Sequence, residues 1–217
     1  MTGRWFDDGV YTYVTDLAHH SPGWLDSAVS AWSTYGPGLF AVLLLVAWWR
    51  ARPTDSALSA LALTAPLVVG TAYLVSSALK SVLREQRPCQ ALHAISLESC
   101  PPPGDWSLPS NHAVIAAAAA VTLLFTDRAL AALAVPAALL MAGSRVWVGA
   151  HYPHDVVLGL IVGALVAWVL MSVTRRAAPL AERLHGTRLR PLVARGEPLR
   201  TEPVRGDHVG GEPLGGR

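Results

Sequence analysis

Three short stretches hold most of the residues able to do chemistry. The longest is Ser144-Arg145-Val146-Trp147-Val148-Gly149-Ala150-His151-Tyr152-Pro153-His154-Asp155, set between two apolar runs. A second carries Lys80, Arg84, Glu85, Arg87 and Pro88, and a third reads Pro109-Ser110-Asn111-His112. Ionisable groups beside lipid are costly unless they meet solvent, one another or a charged substrate, so they mark a candidate site. Lys80, Arg87 and Arg145 brought together would form a cationic cluster, and the arginine fork matches phosphate oxygens two at a time. Pro109 stands just before a helix start, where free N–H groups around Ser110 and Asn111 can point at an anion. The chemistry that suits the set is phosphoryl transfer. His151 can attack phosphorus if Asp155 holds its second ring nitrogen, and His112 can protonate the leaving oxygen.

Metal binding is the rival reading of the histidines. His112, His151, His154 and Asp155 include zinc-ligand types, but the neighbouring arginines and lysine repel a cation, and no carboxylate cluster offers a magnesium site. The expectation is therefore no metal and no cofactor. His154 and Glu85 are expected in supporting positions, Glu85 either tuning substrate entry or pairing locally with Arg84. Cys89 and Cys100 share one loop and would suit a disulfide on an oxidising face; two free thiols are the alternative.

The elements that must position these groups read as membrane helices. Apolar residues make up 52% of the 217-residue chain, charged residues only 15%, and the mean hydropathy is +0.37. Five apolar runs, at 30–49, 57–79, 109–125, 129–143 and 155–172, have lengths near that of a bilayer span. The predicted fold class is all-α, a polytopic membrane bundle with five transmembrane helices plus an N-terminal amphipathic or sixth helix. Three regions are expected: an interfacial segment at 1–29, a membrane catalytic domain at 30–175 and a basic, partly disordered cytoplasmic tail at 176–217. From Arg175 onward the chain has nine arginines against five acids. Placing Arg50 and Arg52 inside the cell puts the 80–108 and 145–154 loops on one outer face and Arg128, Arg175 and Arg176 inside, as the charge rule asks. No basic cluster resembles a nucleic-acid footprint, and the N-terminus lacks the pattern of a cleavable signal.

Read together, Lys80-x6-Arg87-Pro88, Pro109-Ser110-Asn111-His112 and Ser144-Arg145-x5-His151-x3-Asp155 resemble the three-part signature of the type 2 phosphatidic acid phosphatase (PAP2) family. These are membrane lipid-phosphate phosphatases that share an active-site plan with vanadium haloperoxidases. The resemblance covers roughly residues 30 to 175. It implies a PAP2-type bundle and a metal-independent reaction through a phosphohistidine on His151, oriented by Asp155. His112 would act as acid and then assist water, while Lys80, Arg87, Ser110, Arg145 and the backbone near Asn111 hold the phosphoryl oxygens. The implied partners are a lipid phosphate substrate and the bilayer, in a bacterial plasma membrane with the site facing outward.

Asn111 stands where the commonest family form has glycine, and aspartate or asparagine there is reminiscent of bacterial members acting on polyprenyl diphosphates. Undecaprenyl or decaprenyl diphosphate is accordingly the first substrate expectation. Phosphatidate, phosphatidylglycerol phosphate and polyprenyl-phosphosugar phosphates are the alternatives. A noncatalytic lipid-phosphate binder or transporter is the alternative of a different class; it would use the cations but has no need of a nucleophile and proton-donor pair. A soluble haloperoxidase would lack the apolar runs.

Overall fold

The computed structural model describes residues 7–53, 56–92 and 96–181. The first six residues and the greater part of the expected tail, including most of its basic residues, lie outside the described residues. Among the described residues, eight helices follow in order: α1 (Asp8–His19), α2 (Gly23–Ala51), α3 (Ser56–Leu63), α4 (Ala65–Leu83), α5 (Pro88–Ala91), α6 (Asn111–Thr126), α7 (Arg128–Trp147) and α8 (Pro153–Ala181). The all-α membrane bundle is as expected; its span count is not. Among the described residues, four stretches can cross a membrane by length and composition: Gly23–Ala51, Ala57–Ala91, Arg128–Trp147 and Pro153–Arg176. The expected five spans plus an extra helix are corrected to four.

The reason lies in α6. Its 16 residues rise about 24 Å at 1.5 Å per residue, short of an apolar core roughly 30 Å thick. It has little lipid to meet in any case, because it is the central helix and packs on α2, α4, α7 and α8. Ala116, Ala119, Ala120 and Leu123 join Phe40 and Leu43 of α2 and Ala131, Ala134 and Met141 of α7 in one cluster. On another face Val114 and Ala118 meet Ala72 of α4 and Ala167 and Met171 of α8. Small side chains let the backbones approach, and within lipid that close packing replaces the hydrophobic drive.

Sequence chemistry also sets the helix ends. The expected single helix at 57–79 is broken at Thr64, whose hydroxyl donates to the Leu61 carbonyl at 2.7 Å, and α4 starts with Pro66 in its first turn. It continues past the expected end to Leu83, so Lys80 is helical. Likewise α7 extends to Trp147, which makes Ser144 and Arg145 its last-turn residues. Asp127 caps α7 by accepting from Ala129 and Leu130 N–H groups at 3.0 and 3.1 Å, and pairs with Arg50 of α2 at 3.2 Å. The helices therefore run up and down, bringing the end of α4 and α7 and the start of α6 and α8 to one end of the bundle. Against that end lies α1, burying Tyr11, Thr15 and Ala18 at helical spacing.

Gly159 and Gly163 of α8 mark the closest approach to α6. A Cβ on Gly159 would lie 2.7 Å from the Ser110 carbonyl oxygen and 2.9 Å from Ala113 Cβ. Helix propensity favours alanine over glycine by about 1 kcal/mol, whereas overpacking costs about 1–3 kcal/mol, and a backbone carbonyl cannot swing aside. Overpacking should win. Gly159→Ala and Gly163→Ala are each expected to lower the unfolding midpoint of the detergent-solubilised protein, with Gly70→Ala, where a Cβ meets nothing within 4 Å, as the tolerated control.

Candidate active site

All three sequence stretches meet at one end of the bundle. Lys80 reaches up from the last turn of α4, and its Nζ donates to the carbonyls of Trp106 and Ser107 at 2.6 and 2.9 Å. After the left-handed Arg84 (φ 49°) the chain turns outward, and Arg87 caps α5 with its side chain directed back into the site. Its Nε and Nη2 donate to the Asp105 carbonyl and carboxylate at 3.1 and 3.0 Å, while Nη1 donates to the Ala150 carbonyl at 3.2 Å. From the last turn of α7, Arg145 Nη1 pairs with both Glu98 oxygens at 2.9 and 3.0 Å and makes a short bond to Ser33 of α2. The side chains of all three cations are less than a tenth exposed.

The turn from α7 to α8 presents the histidine. Ala150 and His151 N–H groups donate to the Arg145 carbonyl at 3.1 and 3.2 Å, and Gly149 takes a positive φ of 77° that a side chain would strain. A Cβ there would also press on Ser96 and on the Tyr11 hydroxyl at 3.1–3.2 Å. His151 Nδ1 lies 3.2 Å from Asp155 Oδ2 and 3.2 Å from Ser107 Oγ, and its Nε2 lies 3.3 Å from Arg87 Nη1. A guanidinium can only donate, so Nε2 accepts and the ring proton sits on Nδ1, shared toward the carboxylate. Burial pushes the His151 imidazole down to about 3; the bond to Asp155 and its charge oppose this, and Arg87 and Lys80 reinforce it. A neutral ring with its lone pair on Nε2 follows. Asp155 itself is fully buried and accepts from the Tyr152 N–H at 2.9 Å and, at short range, from the Ser107 hydroxyl.

Ser110 caps α6 and donates its N–H to the Asp155 carbonyl at 3.0 Å. Its hydroxyl and Arg145 Nε are buried with no hydrogen-bond partner. Two orphaned donors in a cationic, buried site fit a tetrahedral oxyanion. His112 follows in the first turn of α6, acted on by the charges of Arg145, Glu98, Arg87 and Lys80. The Asn111 side-chain Oδ1 accepts from the Ser76 hydroxyl of α4 at 2.6 Å, tying α6 to α4, while its backbone N–H, the group expected to meet an anion, lies in the first turn of α6.

The supporting pair also finds specific partners. Glu85 accepts from His154 Nε2 at 2.9 Å rather than pairing with Arg84, whose Nε donates to the Ser81 carbonyl at 2.9 Å. The zinc set weighed from the sequence is not what the fold assembles: among the described residues, the metal-competent grouping is Glu85, His154 and Asp155, with ligand atoms within 4.8 Å, and it excludes His112 and His151. Cys89 and Cys100 form a disulfide with Cα atoms 6.0 Å apart, fastening the loop that carries Glu98. Sequence reasoning missed Ser107, Asp105, Glu98, Ser33 and Asp7. Ser107, Asp105 and Glu98 lie in a loop without periodicity, where the available signal was the excess of acids beside the arginines, and Ser33 is a lone hydroxyl within the apolar run of α2.

The comparisons with known proteins agree with this geometry. The PAP2 superfamily profile matches residues 61–179, and the chain belongs to that superfamily of membrane phosphatases. Its relatives include an undecaprenyl-diphosphatase of Sulfolobus acidocaldarius, 36% identical over 43% of this chain and 46% of that protein. Another is the undecaprenyl-diphosphatase BcrC of Bacillus subtilis, 29% identical over 80% of this chain and 86% of that one. A third is a decaprenylphosphoryl-5-phosphoribose phosphatase of Mycobacterium tuberculosis, 36% identical over 47% and 55%. The match thus spans about half the length of two of these three relatives. The fold is that of a PAP2-type phosphatidylglycerolphosphate phosphatase from Bacillus subtilis, with a TM-score of 0.58 and 19% identity over 78% of this chain and 86% of that one.

The depressed His151 value gives a testable pH effect. Below the ordinary histidine value of 6.5 the unfolded chain takes up a proton there that the folded chain refuses, so this contribution to stability is present above pH 6.5 and lost as pH falls toward 3. His151→Asn should flatten the acid-side decline of the unfolding midpoint between pH 6.5 and 4. An unchanged slope would show that the imidazole is not held neutral.

Proposed function

We propose that the protein hydrolyses a polyprenyl diphosphate, of the undecaprenyl or decaprenyl kind, to the monophosphate and inorganic phosphate through a phosphohistidine. The observation that carries this reading is His151, neutral, with Nδ1 held by Asp155 and Nε2 turned toward Arg87 inside the cationic cluster. Nε2 attacks the terminal phosphorus and the bond from phosphorus to the bridging oxygen breaks. His112 gives that oxygen its proton. A water molecule then loses a proton to His112 and its oxygen attacks the phosphorus, breaking the bond to Nε2, which releases phosphate and restores His151. Lys80, Arg87, Arg145, the Ser110 hydroxyl and the Asn111 N–H stabilise the charge that gathers on the equatorial oxygens. The donors come from the chain itself, so the reaction as written calls for no metal or other cofactor.

Substrate class is supported by relatives named as undecaprenyl-diphosphatases, one matching four-fifths of this chain. An apolar groove of about 660 Å³ between α2, α3, α4 and α6 suits a long hydrocarbon. It is lined by Phe40, Leu44, Val69, Ile115 and Ala119, and residues 112, 115 and 119 share one stripe of α6, so a chain lying there leads to His112. The phosphosugar reading is favoured by the mycobacterial relative. We place the protein in a bacterial plasma membrane with the site outside, where a disulfide between Cys89 and Cys100 persists, and the 176–217 tail in the cytoplasm.

The test is phosphate release by purified protein in detergent, with EDTA present, from undecaprenyl diphosphate, phosphatidate, phosphatidylglycerol phosphate and a polyprenyl-phosphosugar phosphate. Release should be greatest from the first and absent in His151→Ala. Arg145→Ala should lower kcat/KM by roughly 100-fold, as loss of a charge-stabilising donor does. Equal turnover by His151→Ala would sink the covalent mechanism, and preference for another lipid would reassign the substrate.

A further inference from the structure

One buried charge cluster lies behind the reacting atoms. His154, in the first turn of α8, has acidic oxygens at both ring nitrogens: Asp7 Oδ2 is 2.9 Å from Nδ1, and Glu85 Oε1 is 2.9 Å from Nε2. Its backbone N–H also donates to Asp7 Oδ2 at 2.8 Å. Asp155 Oδ1, the carboxylate oxygen that does not face His151, lies 3.5 Å from His154 Nε2 and has no hydrogen bond of its own. Asp7, Glu85 and Asp155 are 5, 9 and 0% exposed, so three carboxylates converge where water cannot screen them.

Ionised carboxylates only accept. For both short contacts to be hydrogen bonds, His154 must carry a proton on each nitrogen and hence a positive charge. The Tyr152 ring stacks on it at 5.3 Å with planes 11° apart, fixing the imidazole plane and presenting a π-face to the cation. Tyr11 of α1 packs on Tyr152 and donates to the Gly149 carbonyl at 3.1 Å. Glu85 has a second connection to the centre, since its carbonyl accepts from the Ser107 N–H at 2.8 Å and the Ser107 hydroxyl donates to Asp155.

Resting on the phosphatase reading above, we propose that His154 is a positioning residue: an imidazolium that binds Asp7, Glu85 and Asp155 into one unit and so sets the charge and orientation of the Asp155–His151 pair. By this arrangement α1, outside every sequence motif, becomes part of the apparatus that poises the nucleophile.

The test combines ¹⁵N-histidine NMR of the full chain in detergent micelles with steady-state kinetics on undecaprenyl diphosphate. The His154 resonances, assigned by their loss in H154Q, should show both nitrogens protonated at neutral pH. H154Q should lower kcat roughly tenfold, the size of one lost charge-assisted hydrogen bond, with KM changed by less than about twofold. H154R, which restores a cation, should recover part of kcat. Should H154Q fail to fold, D7N keeps the ring, removes one partner charge and should lower kcat in the same way. A neutral His154 in the wild-type spectrum overturns the proposal, as does wild-type kcat in H154Q or D7N, or a loss carried wholly by KM. His154 signals that shift on adding EDTA or zinc would assign the cluster to a metal instead. If the wild type releases no phosphate from any lipid, the phosphatase reading fails while the spectrum still decides the protonation of His154.

Discussion

The carboxylate of Asp155 is the group on which the catalytic end of the bundle depends. Left unpaired, a fully buried carboxylate costs several kcal/mol. Here its Oδ2 is met by three donors from two places: the Ser107 hydroxyl in the 85–108 loop, and the Tyr152 N–H and the His151 ring in the turn before α8. The main-chain oxygen of the same residue accepts from Ser110 at the head of α6. Satisfying one residue therefore fixes the position of Ser107 in the long loop, the start of the central helix and the tautomer of His151 together.

The cationic cluster obeys the same constraint with opposite sign. Lys80, Arg87 and Arg145 repel one another, and each is held by acceptors that fix its direction: two loop carbonyls for Lys80, Asp105 for Arg87, Glu98 and Ser33 for Arg145. Both acids belong to the loop closed by Cys89–Cys100 or follow it directly. The side chains of Asp105 and Glu98 are 48 and 27% exposed, against less than a tenth for the guanidinium-bearing chains they hold. Charge is thus concentrated inward and neutralised from the rim, which leaves donors such as Arg145 Nε and Ser110 Oγ turned to the interior.

Much of this was legible in the sequence. The apolar runs located the helices, and the spacings of Lys80 to Arg87, Ser110 to His112 and Arg145 to Asp155 identified the groups that converge. Boundaries were less legible where a polar residue finds a partner that composition cannot reveal: Lys80 reads as the first residue of a loop, yet two carbonyls satisfy it and the helix runs on to Leu83. The count of spans failed for a related reason, since hydropathy cannot tell a helix facing lipid from one facing mostly other helices. Asp7, Glu98 and Ser107 were invisible because their roles come from chain closure over many tens of residues. The tie of the Asn111 side chain to Ser76 of α4 was likewise invisible, since the motif spoke only for its backbone N–H.

The shielding of α6 also bears on how the protein meets bilayers of different thickness. Leu45 and Trp49 of α2, Leu67 and Leu74 of α4, Leu139 and Leu140 of α7, and Leu165 and Trp168 of α8 are exposed to the surroundings, whereas α6 offers little to lipid. Hydrophobic mismatch is relieved by tilting of helices that touch the acyl chains. The perimeter can absorb it while the helix bearing Ser110, Asn111 and His112 keeps its depth, fastened by the glycine contacts to α8. The head of α6 is thereby buffered from membrane thickness, whereas Lys80, Arg145 and Asp155 stand on helices that do touch lipid and are held in place by the loop and by α6.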